Sequence, residues 1–184
     1  MTSLVRMLGI CAPLKKRELR SLFQVTAEAF GCAPPDIARR SFDQALGEYA
    51  RFTRSEIEKL RASGGETESV RERLFQGGWK LGERIRRVCV IRKPADALFA
   101  MTALYRMLGI QADSNGGSEL TVSRCSFSGV YSADTCSVIS ALDDGIFAGL
   151  SRGMRLSFSR RITDGCSSCA ARVSTENADQ KGDV

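Results

Sequence analysis

The sequence predicts an α+β fold: an N-terminal helical region followed by a β-α-β-β unit, packed as two layers of a single domain. Three observations carry that expectation. Apolar residues recur with a helical period as far as Gly109, and a strand-like alternation of period two appears beyond it. The 184 residues match about one domain at ~150 residues each. No linker-like stretch divides the chain. The domain is expected over residues 1–175, with the helical part at about 1–109 and the β-α-β-β part at about 117–174. The polar residues 176–184 read as a flexible tail.

The elements follow in order. Between Lys15 and Phe30 the apolar positions Leu19, Leu22, Phe23, Ala27 and Phe30 line one helix face, and Gly31 supplies a left-handed stop. Ser41 precedes a second helix with the stripe Phe42, Ala45, Leu46, Tyr49, Phe52, Ile57 and Leu60, broken by Ser63-Gly64-Gly65. A third runs from about Thr67 to Val90. Its glycines at 77, 78 and 82 are costly in a helix interior unless they allow a close crossing or a kink. Pro94 opens a fourth over Ala95–Leu108, where its missing N–H costs nothing, and Gly109 ends it. Glu119–Cys125 alternates as a strand, Ala133–Leu150 reads as a helix, and Arg155–Ile162 alternates again. Thr163-Asp164-Gly165 is turn chemistry, and Ser168–Val173 is a short last strand. Residues 1–10 and 101–110 agree at eight of ten positions, which reads as two similar helix ends stopped by glycine rather than a repeat architecture.

Composition narrows the chemistry. There is no histidine, which excludes Ser-His-Asp triads, Cys-His dyads and histidine-ligated metals. A general base must be Asp, Glu, Lys, Tyr or a thiolate. The net charge of +6 comes mostly from arginine, dispersed along the chain without a basic block interleaved with aromatics, so no nucleic-acid partner is expected. No uncharged stretch exceeds nine residues, so no membrane partner is expected, and without a convincing export signal the expected compartment is the cytoplasm. Seven cysteines, an odd number, in a reducing compartment argue against a disulfide framework. The helical stripes leave a homodimer open.

The residues that can carry chemistry crowd between Arg124 and Arg172. On the helix, Cys136, Ser140 and Asp143 share one face, and Arg161 on the following strand can return beside it. Cys136 near the helix N-terminus favours a thiolate. Three readings stay open: a metal site of Cys125, Cys136, Cys166 and Cys169, with zinc as the ion; nucleophilic or acid–base catalysis by Cys136 and Asp143; or small buried thiols beside a solvated Asp143-Asp144 pair.

The pattern Arg124-Cys125-Ser126-Phe127, Tyr131, Cys136, Ser140-Ala141-Leu142-Asp143-Asp144-Gly145, then Arg161-Ile162-Thr163-Asp164-Gly165 and Cys169 resembles the bacterial L-2-amino-thiazoline-4-carboxylic acid hydrolase family. The resemblance implies hydrolytic opening of a cyclic isothiourea carboxylate on a route to L-cysteine, without a cofactor. Under that reading Cys136 and Asp143 are catalytic, Arg161 or Arg124 holds the substrate carboxylate, and Cys125, Ser140, Gly165 and Cys169 line the pocket. Asp144, Asp164 or Tyr131 is the second acid. Gly145, Gly149, Gly165 and Cys169 also resemble, more loosely, small-molecule-binding modules of the 4-vinyl reductase type, in which the same pocket binds without turning over.

Overall fold

A computed structural model describes residues 12–114 and 118–175. Four helices come first: α1 (Ala12–Phe30), α2 (Phe42–Ala62), α3 (Thr67–Cys89) and α4 (Pro94–Met107). Strands β1 (Gln111–Ser114) and β2 (Glu119–Arg124), helix α5 (Ala133–Ser151), strand β3 (Arg155–Arg160), a single 3-10 turn (Ile162–Asp164) and strand β4 (Cys169–Ser174) follow. The α+β expectation holds, with one addition. β1 was not anticipated, so the second half is β-β-α-β-β. Its four residues carry no β-branched side chain, and only Ala112 is buried, which leaves almost no alternation to detect. The first ten residues, and the tail from 176 onwards, lie outside the described residues, as does Cys11.

The sheet is antiparallel throughout, in the order β1-β2-β4-β3. β3 and β4 form a hairpin around the 3-10 turn, and β4 then inserts between β3 and β2, with Leu120 opposite Ala171 and Val122 opposite Cys169. One face of the sheet is dry: Ala112, Leu120, Val122, Leu156, Cys169 and Ala171 point into the core, while Thr121 and Ser123 are exposed. The helices form the second layer on that dry face.

Local chemistry fixes the helix ends. Ser41 and Gln44 make a reciprocal capping box, the Gln44 N–H donating to Ser41 Oγ at 3.2 Å and the Ser41 N–H to Gln44 Oε1 at 2.9 Å. Ser132 Oγ accepts from the Thr135 N–H at 3.1 Å to start α5.

Helix α5 is buried nearly all round, from Val138 through Leu142 and from Gly145 to Leu150, as expected of a helix enclosed by other elements. It crosses α3 at backbone contact. A Cβ on Gly78 would lie 2.5 Å from the Leu142 carbonyl oxygen, and one on Gly82 would overlap the Ile146 carbonyl. From the other side, Cβ atoms on Gly145 and Gly149 would overlap the carbonyls of Phe75 and Trp79. Gly78 and Gly82 of α3 therefore serve a close crossing, while Gly77 faces Val25 of α1. The Arg71 Nη1–H donates to the Ser137 carbonyl at 2.6 Å, and the Arg86 Nε–H to the Gly149 carbonyl at 3.2 Å, tying the same two helices at both ends of the contact.

Candidate functional site

Between α5, the sheet and the first helices lies a largely apolar cavity of about 100 Å³. That is somewhat below the ~150 Å³ of an apolar cavity that holds one benzene ring. Leu142, Ile146, Met101 and Leu104 supply apolar wall, and Cys125, Cys136, Cys169 and Asp143 supply its reactive groups. The face shared by Cys136 and Asp143 on the helix is thus turned inward. Cys169 enters from the first position of β4, and Cys125 from just beyond β2.

Asp143 is the unusual group. It is half-buried on α5 and lines the cavity. Burial pushes its carboxyl up to about 7; hydrogen bonding from the Tyr105 hydroxyl opposes the rise, the neighbouring Asp144 adds to it, and the Arg161 guanidinium works against it. Both protonation states are therefore populated near neutral pH, as a group that must take and return a proton requires.

The thiols behave differently from the sequence expectation. Burial raises Cys136, and this outweighs the Thr163 hydroxyl and the Arg161 charge, which pull the other way. Its place in the first turns of α5 does not make it a thiolate, because desolvation exceeds the helix-end effect. Burial also pushes Cys125 up to about 11 and raises Cys169, whose Sγ accepts from the Ile162 N–H at 3.3 Å. At neutral pH the three are neutral thiols. Cys32, Cys125, Cys136, Cys166 and Cys169 are free. Thiol titration of denatured, unreduced protein is expected to find these five reactive at once; a pair among them that needs reductant contradicts the structure.

Cys166 is half-buried in the turn before β4 and lines neither this cavity nor the polar pocket beside it. Of the four cysteines considered as zinc ligands, Cys125, Cys136 and Cys169 line the cavity and Cys166 does not; among the described residues no group of three or more cysteine or carboxylate side chains has metal-holding geometry.

The basic residues separate. Arg124 is exposed at the end of β2, opposite Gln111, and lines neither pocket. Arg161 lines the polar pocket of about 360 Å³ on the other side of Phe158, a side chain the two spaces share. Its Nη2–H donates to Ser140 Oγ at 3.2 Å, its guanidinium lies 5.4 Å from the Phe158 ring centroid, and its buried Nε has no hydrogen-bond partner. Ser140 accordingly faces the polar pocket rather than the cavity. Gly165 is an exposed turn residue with φ +87°, and a Cβ there would meet nothing within 4 Å, so it shapes the β3–β4 connection and not a pocket wall.

Of the three candidate second acids, Tyr131 alone lines the cavity. Asp144 is held in a fork by Arg155, with Nη2 to Oδ2 at 2.6 Å and Nε to Oδ2 at 3.0 Å, while its Oδ1 accepts from the Leu156 N–H at 2.8 Å. The Arg155 guanidinium also lies 4.4 Å from the Phe75 ring centroid. Asp144 is thereby an anchor between α5 and β3. Asp164 is exposed on the 3-10 turn.

Two cavity tyrosines were read from the sequence only as helix residues. All three tyrosines of the chain, Tyr49, Tyr105 and Tyr131, line this one cavity. Burial pushes Tyr49 up to about 12, and Tyr105 and Tyr131 well above their ordinary range, so all three are hydroxyl donors at any physiological pH. Tyr49 sits in the apolar stripe of α2 and Tyr105 in that of α4, where a tyrosine is indistinguishable from core. Glu18 of α1 also lines the cavity, 5% exposed, but both its oxygens are taken, by Arg17 at 2.9 Å and Arg84 at 2.6 Å.

Compared with known proteins, the chain matches no family model, no curated protein and no solved structure. Among the described residues no helix is long and apolar enough to cross a membrane.

Proposed function

We propose that this protein is a hydrolase that opens a small cyclic C=N compound bearing a carboxylate, of the L-2-amino-thiazoline-4-carboxylate type. The observation that carries the reading is Asp143: a carboxyl without a salt bridge among the described residues, poised near 7, on the wall of a small, largely apolar cavity. As carboxylate, Asp143 takes a proton from water while the water oxygen bonds to the amidine carbon. As carboxylic acid, it returns that proton to the ring atom whose bond to that carbon breaks, while the second water proton passes from the new hydroxyl to the nitrogen that took the C=N electron pair and the carbonyl forms. One water is added and no proton is left over. Cys136 and Cys169, neutral at this pH, line the site and do not attack. Tyr131 or Tyr105 donates to the developing charge, and the substrate carboxylate points past Phe158 towards Arg161.

Purified protein incubated with L-2-amino-thiazoline-4-carboxylate is expected to form a product heavier by one water, detected by mass spectrometry. Its kcat/KM should rise with pH to a plateau above about 7, as Asp143 ionises. Arg161→Lys should raise KM several-fold with little change in kcat, because an ammonium lacks the guanidinium fork. The apolar lining favours one second reading, a binding module without turnover, which predicts saturable binding of the same compound and no product.

A further inference from the structure

The charged groups on the cavity wall are of one sign. Among the described residues lining it there are two carboxylates, Glu18 and Asp143, and no lysine or arginine. Glu18 is neutralised by Arg17 and Arg84. Among the described residues Asp143 has no salt bridge: Arg161, whose charge acts on it, spends its hydrogen bond on Ser140 and lines the polar pocket beyond Phe158. The other titratable groups that act on Asp143 are Tyr105 from α4, Tyr49 from α2, Tyr131 ahead of α5, Cys169 from β4, and Cys136 and Asp144 on its own helix. None of them is a cation. Among the described residues no cation is paired with Asp143, so its ionised form is a charge that only the more distant Arg161 offsets, which is costly until something positive is brought to it.

We propose that the cavity binds small planar amidinium-type cations, seated against Asp143, and excludes anions of the same shape. An amidinium presents two parallel N–H donors to a carboxylate in a fork–fork pair, the arrangement that best repays desolvation of both charges. Its flat, otherwise apolar body suits walls made of leucine, methionine, tyrosine and thiol groups. Uptake is coupled to a proton. Below pH 7 the carboxyl is mostly protonated, so the arriving cation displaces one proton to solvent and the charge in the cavity stays balanced. The inference concerns binding alone and stands whether or not the site hydrolyses anything.

The test uses benzamidinium and benzoate, which share a shape and differ in charge, with toluene as the neutral control, titrated into the full-length protein by calorimetry. Benzamidinium is expected to bind at least tenfold more tightly than benzoate. At pH 6 it should release close to one proton, read as a dependence of the observed heat on the ionisation enthalpy of the buffer, and at pH 8 close to none. Asp143→Asn should weaken benzamidinium at least tenfold and leave toluene binding unchanged, which shows that the cavity itself survives the substitution. Benzoate binding as tightly as benzamidinium, no benzamidinium binding, or benzamidinium binding indifferent to Asp143→Asn would each overturn the proposal. Failure of turnover on the thiazoline substrate with these binding results intact removes the hydrolase reading and leaves this one standing.

Discussion

Asp143→Asn is expected to lower turnover by at least two orders of magnitude and, at pH 8, to make the protein more stable. The second half of that result follows from linkage. The ordinary carboxyl value is 3.8 and the folded value is about 7. The native state therefore binds more protons than the unfolded chain between those limits, and stability falls as pH rises through that window. The full stabilisation is present below about pH 4 and is gone above about 7. Over that interval the ceiling on the loss is roughly 4 kcal/mol, reduced in practice by water admitted to the cavity. Asparagine keeps the shape and never ionises, so its advantage should be several degrees in Tm at pH 8 and should vanish at pH 4. Thermal melts at the two pH values check the sign directly. A variant less stable than the parent at pH 8 would mean that the ionised carboxylate has a cationic partner.

The largest expected structural effect lies at the helix crossing. Gly149→Ala or Gly82→Ala places a methyl group where a carbonyl oxygen of the facing helix already sits, that of Trp79 or of Ile146. Two opposed terms compete. Alanine in a helix interior is better than glycine by ~1 kcal/mol. Overpacking costs ~1–3 kcal/mol even where side chains can yield, and here the obstruction is backbone, so the cost belongs at or above the top of that range. Steric cost wins, and each substitution is expected to lose ~2 kcal/mol or more in denaturant melts. Gly47→Ala supplies the control on α2. The nearest heavy atom to a Cβ there is the end of the flexible Arg51 side chain at 3.6 Å, so propensity alone operates and a gain of ~0.5–1 kcal/mol is expected. Equal effects at Gly47 and Gly149 would refute the crossing.

How far the sequence revealed this molecule depends on the range of the interactions involved. Helices α1 to α5 and three of the strands were legible because each carries its own periodicity and its own stop signals, such as Gly31, Gly109 and the Ser41 cap. β1 was not, since its existence depends on β2 lying beside it. In the site, Cys136 and Asp143 were placed together by helix geometry, and Cys125 and Cys169 followed. Tyr49 and Tyr105 come from helices far away in the chain, and nothing local distinguishes a tyrosine that faces a cavity from one that fills a core. Helix geometry could also not show that Arg155 would clamp Asp144, nor that Arg161 would stop on the far side of Phe158.

Asp143 and Asp144 are successive residues with opposite fates, one on the cavity wall beside the Tyr105 hydroxyl, the other clamped by Arg155. What separates them is the azimuth of α5, since one residue is about 100° of rotation on a helix. That azimuth is set two and six residues downstream, where Gly145 and Gly149 let α3 approach along a single bare groove. A helix that meets its neighbour through such a groove has one rotational setting, because any turn about its axis carries side chains into the opposing backbone. The glycines thus act as an indexing notch: they choose which of two adjacent carboxylates is presented to the cavity, through backbone contacts with α3 rather than through contact with either carboxyl group.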